Sequence, residues 1–479
     1  MRIESLETPC LGNRSYVVID GPTAVVVDPP RDIDRIEDVL RVNDAKVGLV
    51  LETHRHADYL SGGLELARRH RADYVVPPGE PQPMFRYAPA TEGTTFGAGA
   101  IGVRVMATPG HTPHHVAYVI ESADRPVAVC TGGSLLHGSV GRTDLYGADR
   151  TWPLARDQWR SVRRLVEELP TEVMLLPTHG FGSLCSAAPA SDTSSATLGE
   201  ERQVNPALLA AQDPYVRGLV GGYGPVPRHY SRLAMLNALG PAPIDLSPPP
   251  LLEPLELAER QSDGHWLIDL RDRRSFAQAH LRGSVNVEAT GPLAAYLPWI
   301  LPAGAGVVLL GSADAVTATA RQLAQVGIDR PIGVAVGSPQ QWSGGYAGRI
   351  TSYAVSDFAG FVAAAETGGA GALDVRSGPE WVAGHVAGAL HLALPRLAEL
   401  LDPSRGPAGT VSRSGETWVY CGGGFRAAIA ASLLDAAGLP VTLIDAAYDA
   451  AVAAGLTVTE GLPVPTAGNA GFVQGGAIR

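Results

Sequence analysis

The chain has 479 residues and a formal charge of 37 − 48 = −11. At ~150 residues per domain the length accommodates about three domains, and an apolar fraction of 45% can give each a core. The acidic balance excludes the clustered cationic surface of a nucleic-acid binder, and no apolar run approaches the ~18–20 residues of a membrane span.

The N-terminus, Met1-Arg-Ile-Glu-Ser5, has no basic start followed by an apolar stretch, so no signal peptide is expected. Tyr16–Asp20 and Ala24–Asp28 are β-rich and separated by Gly21-Pro22, the pattern of a hairpin. A helical pattern follows from Ile33 to Val42. Val47–Leu51 is a short continuous apolar run, the mark of a buried strand, and it ends at Glu52-Thr-His-Arg-His-Ala-Asp-Tyr59. Further strands are expected at Ile101–Ala107, Val116–Ile120, Val127–Cys130 and Val173–Pro177. Polar clusters repeatedly follow the ends of these strands, which is where open α/β sheets build sites.

Ser186 to Ser195 is Ser/Ala-rich and reads as a loop, and Thr197-x-x-Glu200 has the spacing of a capping box. Asp213 to Leu239 is helical and interrupted, and Pro241 to Pro250 is proline-rich, as in a linker. An internal repeat follows. Asp269, His280 and Gly283 recur as Asp374, His385 and Gly388, each 105 residues on. The expected limits are 1–240, a linker at 241–255, repeats at 256–360 and 361–465, and a tail at 466–479.

The first half carries His54-x-His56-x-Asp58 just past a buried strand, His111 in Thr108-Pro-Gly-His-Thr112, and His179 in Pro177-Thr-His-Gly180. Imidazoles and carboxylates converging from separate strand ends can bind a first-row metal. These three loops resemble those of the metallo-β-lactamase fold over about Ile3 to Leu209. They are most similar to its persulfide dioxygenase and glyoxalase II branch, as is the segment Thr131-Gly-Gly-Ser through Gly141-Arg-Thr-Asp-Leu145. The resemblance implies an αββα sandwich. It implies one zinc site at His54, His56 and His111, and a second at Asp58 and His179. It also places Arg142 near a thiol cosubstrate, with a salt bridge to Asp144 as the alternative. Two positions depart from the pattern. Tyr59 stands where the family has histidine, and Gly133 where it has a metal-binding aspartate. The family's Fe(II) triad would use His54, His111 and that missing carboxylate. Three outcomes stay open: a three-histidine zinc site, iron held with a substitute ligand, or a vestigial site with no metal.

In the last repeat the run Trp418-Val-Tyr-Cys421-Gly-Gly-Gly-Phe-Arg426 delivers a cysteine to a glycine turn just before a helix. Backbone N–H groups in such a turn, Gly422, Gly423, Gly424 and Phe425, form an anion nest. The helix N-terminus adds positive partial charge, and together they favour a nucleophilic thiolate or a bound persulfide. Arg426 can close the loop or hold an anion. The segment resembles the rhodanese active-site loop C-x-x-G-x-R, which implies that Cys421 carries sulfane sulfur. At the aligned positions the first repeat has Leu310 and Ala315, so that copy lacks the covalent chemistry. Cys10, Cys130 and Cys185 form no C-x-x-C pair and read as reduced thiols of a cytoplasmic protein, with Cys130 and Cys185 as core filler.

The whole order resembles persulfide dioxygenase–rhodanese fusions: an α/β multi-domain chain with a metallo-β-lactamase-like domain and two rhodanese-like domains. The expected activity is sulfane-sulfur transfer through a Cys421 persulfide beside a metal-dependent domain. The alternatives are a zinc-dependent thioester hydrolase of the glyoxalase II type fused to rhodanese, and a sulfur carrier with a vestigial metal site. Expected partners are a glutathione-like thiol or persulfide and thiosulfate or sulfite. Neither nucleic acid nor a membrane is among them, and self-association stays open.

Overall fold

The computed structural model describes residues 1–79, 81–187, 197–302, 304–401 and 416–461. Most of the Ser/Ala-rich segment and the whole 466–479 tail lie outside the described residues. Two units result. One comprises Met1–Leu246 with Leu323–Asp329, and the other the described residues of 247–322 and 330–479. Among the described residues no helix is long and apolar enough to cross a membrane.

The first unit is built on two sheets. The expected hairpin is the antiparallel pair Asn13–Asp20 with Thr23–Val27. It lies in a six-stranded sheet that runs in chain order from Arg2–Thr8 through Lys46–Leu51 and Asp73–Val76 to Ala88–Pro89. The second sheet has the order Met174–Pro177, Arg125–Gly132, Val116–Ser122, Ile101–Ala107, Thr95–Ala98. Alternate side chains of both sheets, among them Val18, Val25, Leu51, Val103, Tyr118 and Cys130, meet in one buried layer. The other faces are covered by helices. Val17, Val26 and Val50 pack with Ile36, Leu40 and Leu66 from the helices Asp34–Val42 and Gly63–His70. Val119, Val129 and Leu175 pack with Val162 and Leu165 of the helix Ala148–Glu168. Burial on both faces is why these strands read as continuous apolar runs rather than alternating ones. The layers are therefore αββα. Thr197 caps the helix Leu198–Val204 reciprocally with Glu200, as its spacing predicts.

Strand direction places the chemistry. Thr23–Val27 ends at Asp28, Lys46–Leu51 at the His54 loop, Ile101–Ala107 at the His111 loop, Arg125–Gly132 at Gly133, and Met174–Pro177 at His179.

The second unit holds two parallel sheets with the same plan. One has the order Val285–Asn286, Trp266–Asp269, Val307–Gly311, Gly333–Val336. The other has Leu390–His391, Ala370–Asp374, Glu416–Tyr420, Val441–Ile444, with Ala354–Ser356 added at the edge. The repeated residues do the same job in each copy. Arg271 donates to Asp269 and to the Ala279 carbonyl, and Arg376 donates to Asp374 and to the Gly384 carbonyl. His280 stacks on Phe276 at 3.9 Å and His385 on Trp381 at 3.3 Å. These motif residues are structural fasteners. The repeats also join through His280 to Asp435 at 3.0 Å and the Asn286 N–H to Ser432 Oγ at 3.0 Å.

Candidate metal and thiol sites

His54, His56, Asp58, His111 and His179 are all buried, with His111 and His179 at 0% exposure. His54 Nε2 and His179 Nε2 lie 3.2 Å apart. Among the described residues, ligand atoms gather within 4.8 Å in three sets: His54, His111, His179; Asp28, His54, His56; and His56, Asp58, His179. No set joins His54, His56 and His111, the first site that the family pattern implied. His56 enters two of the three sets, and its Nδ1 is buried without a hydrogen-bond partner. Its Nε2 lies 3.2 Å from Asp28 Oδ1 and 3.1 Å from Glu52 Oε2, close enough for ion pairing though off hydrogen-bond alignment. Burial opposes charge on His56, but the two carboxylates outweigh it and push its pKa up to about 10. Burial also works to raise Asp28, yet His56 and the Thr178 and Thr53 donors bring it below the usual carboxylate range. Burial and neighbouring imidazoles hold His54 well below the ordinary histidine value, His111 at about 3, and His179 lowered. Neutral imidazole is the form a metal requires.

His111 occupies a slot made by two glycines. Its Nδ1 is 2.7 Å from the Arg142 carbonyl, and its N–H donates to Gln158 Oε1 at 2.7 Å. A Cβ on Gly133 would stand 2.2 Å from His111 Cδ2, and a Cβ on Gly141 2.7 Å from His111 Nδ1. The imidazole thus fills the space a side chain at 133 would need. His111 Nε2 is buried and without a hydrogen-bond partner. A donor atom stranded in this way, beside two other neutral imidazoles, fits a metal ion. A narrow recess lined by His54, His56, Thr112 and Tyr146 reaches this cluster.

Arg142 makes the salt bridge to Asp144 that the sequence left open as one of its two roles. Its guanidinium binds Asp144 through two bonds of 2.7 Å and the Gly224 carbonyl at 2.6 Å, and it is buried. Its part in the site is the main-chain carbonyl that orients His111. Tyr59 packs its ring on His56 at 4.4 Å and donates its hydroxyl to the Asp28 carbonyl. Cys185 packs with Ala57 and Tyr230, and burial pushes its thiol up.

Several residues in the cluster were not singled out from the sequence. Asn13 links Asp58 to His179: its Nδ2 donates to Asp58 Oδ2 at 2.7 Å and its Oδ1 is 2.8 Å from His179 Nδ1. Asp28 accepts from the Thr53 N–H and hydroxyl, each at 2.7 Å, and from Thr178. Its place directly after the apolar strand Thr23–Val27 was the available signal. His115 accepts the Gly133 N–H at Nε2, 3.0 Å, so its Nδ1 faces Thr108 Oγ1 at 2.7 Å as donor. Both its nitrogens are spent, which removes it as a ligand.

The thiol loop lies in the second unit. The strand Glu416–Tyr420 leads to Cys421, and the helix Phe425–Ala436 starts after the glycine turn. The Gly424 N–H donates to Cys421 Sγ at 3.1 Å, and Gly424 has a φ of 91°. A left-handed turn at the helix start thus brings a donor and the positive helix end onto the sulfur. Cys421 is buried. Arg426 makes a two-bond pair with Glu380 at 2.6 and 2.7 Å, so it closes the loop. The first repeat supplies the facing wall. Arg273 donates to the Gly423 carbonyl at 2.9 Å, and Tyr296 packs edge-on against Phe425 at 5.7 Å. A Cβ on Gly291 would stand 2.2 Å from the Phe425 ring. No spacing in the sequence marks these residues, because they act across the repeat boundary.

Residues 8–179 match the metallo-beta-lactamase superfamily, and residues 253–344 and 360–454 match the rhodanese-like domain. A hydroxyacylglutathione hydrolase of Cupriavidus taiwanensis is 28% identical over 239 residues, 44% of this chain and 88% of that protein. A probable polyketide-biosynthesis zinc-dependent hydrolase of Bacillus velezensis is 29% identical over 176 residues, 36% of this chain and 74% of that protein. A solved metallo-beta-lactamase of Staphylococcus aureus has a TM-score of 0.64 at 22% identity and covers 71% of this chain and 99% of its own; the likeness is one of fold.

Proposed function

We propose, from the premise of a metallo-β-lactamase-fold domain followed by two rhodanese-like domains, that the chain moves sulfane sulfur through Cys421 and acts on a low-molecular-weight thiol derivative in its first domain. The observation that carries the reading is the Cys421 loop: a buried sulfur accepting a backbone N–H at the start of a helix, with Arg426 locked to Glu380 behind it. The Cys421 thiolate attacks the outer sulfur of thiosulfate or of a persulfide. The new S–S bond forms as the donor's S–S bond breaks, and sulfite or the free thiol leaves with the bonding pair. The Cys421 persulfide, itself anionic, is stabilised by the same donor and helix end. A second nucleophile, sulfite or a thiol, then removes the outer sulfur and restores the thiolate.

In the first domain the buried cluster around His54, His111 and His179 would hold one transition metal, zinc or Fe(II), with His56 and Asp58 beside it. Such an ion supplies Lewis-acid or oxygen chemistry. Asp28 (through Thr53), Asn13 and the Arg142 carbonyl orient the imidazoles. A second reading, thioester hydrolysis, is supported by the similarity to hydroxyacylglutathione hydrolases. Sulfur transfer from thiosulfate to cyanide should vanish in C421S, with a sulfur adduct on the Cys421 peptide found only in the parent chain. An unchanged rate in C421S defeats the sulfurtransferase reading. Oxygen uptake with glutathione persulfide, against thiol release from S-lactoylglutathione, decides between the two readings of the first domain.

A further inference from the structure

Among the described residues, the arginines at the Cys421 loop are already paired. Glu380 binds Arg426 through two bonds, and the pair lies beside Gly422. Arg273 pairs with Glu288 at 2.8 Å and Arg274 with Asp445 at 2.6 Å. Yet sulfur transfer begins and ends with anions: the attacking thiolate, and the sulfite or thiolate that leaves. Neutral N–H and O–H donors therefore have to meet this charge. The Gly424 N–H is one of them, and it is spent on Cys421 Sγ at 3.1 Å. Displacement at sulfur puts the attacking and leaving groups on opposite sides of the transferred atom. The leaving group thus faces away from Gly424, toward the wall that the first repeat supplies.

Tyr296 stands in that wall, on the helix Leu293–Ile300. Its ring packs edge-on against Phe425 and lies 6.2 Å from Trp299. Phe425 is also seated on Gly291, so it is held from two sides, four residues from Cys421. Packing therefore fixes Tyr296 relative to the thiol loop. Among the described residues its hydroxyl has no hydrogen-bond partner, although the charges of Arg426, Glu380 and Cys421 all act on it. Burial pushes the phenol above its ordinary value, so it keeps its proton and can donate. A protonated hydroxyl turned toward a charged site, with no acceptor in the chain, is complete only when an anion arrives.

We propose that Tyr296, on the repeat that lacks a cysteine of its own, is a catalytic residue of the Cys421 site, and that its hydroxyl hydrogen-bonds the group leaving the sulfur donor. For a persulfide R–S–SH, the Cys421 thiolate bonds to the outer sulfur as the S–S bond of the donor breaks. R–S⁻ departs with the bonding pair and accepts the Tyr296 O–H. No oxidant or reductant enters. The bond gains strength as charge develops on the leaving atom, which is the condition for it to raise the rate. The inference rests on the reading of Cys421 as the sulfur carrier and is independent of the metal domain.

The test compares Y296F with the parent full chain on three donors: benzenethiosulfonate, thiosulfate and glutathione persulfide. Their leaving groups, benzenesulfinate, sulfite and thiolate, rise in basicity in that order. Formation of the Cys421 persulfide in a single turnover is followed by rapid quench and mass analysis of the Cys421 peptide. Y296F should slow the reaction with glutathione persulfide by about 10–100-fold, less with thiosulfate and least with benzenethiosulfonate. The unfolding midpoint should stay in place, because the hydroxyl has no partner to lose. A purely structural role would lower all three rates by one factor. Equal rates in Y296F, or one common factor for the three donors, overturn the proposal. C421S run alongside keeps the two readings apart: a parent chain that gains no more sulfur than C421S from any donor removes the carrier reading itself, and the proposal with it.

Discussion

Restoring a side chain at position 133 should damage the metal domain. The Cβ of G133A would stand 2.2 Å from His111 Cδ2 and 2.8 Å from its Nε2, where ordinary contact begins near 3.4 Å. The ring cannot slide away freely, because Gly141 closes the other side and the Arg142 carbonyl holds Nδ1. Overpacking a dense interior costs ~1–3 kcal/mol, and giving up the Nδ1 hydrogen bond adds ~1 kcal/mol. The sum, about 2–4 kcal/mol, lowers the unfolding midpoint of a unit this size by roughly 4–16 °C. G133D carries the same Cβ and adds a carboxylate, so it should be no more stable than G133A and should not rebuild the family's ligand set. Thermal unfolding followed by circular dichroism, with cobalt uptake on the same samples, measures both effects. A G133A chain with the parent midpoint and full metal uptake would refute the idea that the His111 ring fills this space.

The Glu380–Arg426 pair predicts a pH dependence. Burial works to raise Glu380, but the Arg426 bonds and charge outweigh it and bring its pKa to about 2 from 4.5. A depressed carboxylate contributes stability above pH 4.5 and loses it as the pH falls toward 2. The midpoint gap between the parent chain and E380Q should therefore narrow on going from pH 7 to pH 3; a constant gap would remove the pair from the account. R273A deletes the donor to the Gly423 carbonyl and should lower kcat for sulfur transfer several-fold while cobalt uptake is unchanged. Equal rates would show that the first repeat does not position the loop. L310C should form no persulfide with thiosulfate, because position 310 is followed by Gly311, Ser312 and a helix from Ala313, with no glycine turn to donate backbone N–H groups to the sulfur. A sulfur adduct at that cysteine would contradict this.

The sequence by itself determined the building plan. Apolar runs such as Val47–Leu51 are continuous because both faces of each sheet are covered, so their period and length announced buried strands. The Asp269/Asp374 and His280/His385 correspondences announced the repeat because each copy uses the same side chains to fasten the same turn. Cys421 was legible because a glycine turn and a helix start follow it directly along the chain. Tertiary structure decided what depends on groups distant in sequence. Which histidine nitrogens converge is set by Asp28 (through Thr53), Asn13 and the Arg142 carbonyl, up to 166 residues from the ring they orient. The missing carboxylate reads as a loss along the chain, whereas in space His111 fills the position and His179 stands 3.2 Å from His54. Likewise Arg273 and Tyr296 meet the Cys421 loop only because the two repeats pack face to face. Local pattern carries strand, turn and nucleophile, and hydrogen-bond direction across the fold carries the choice of ligands.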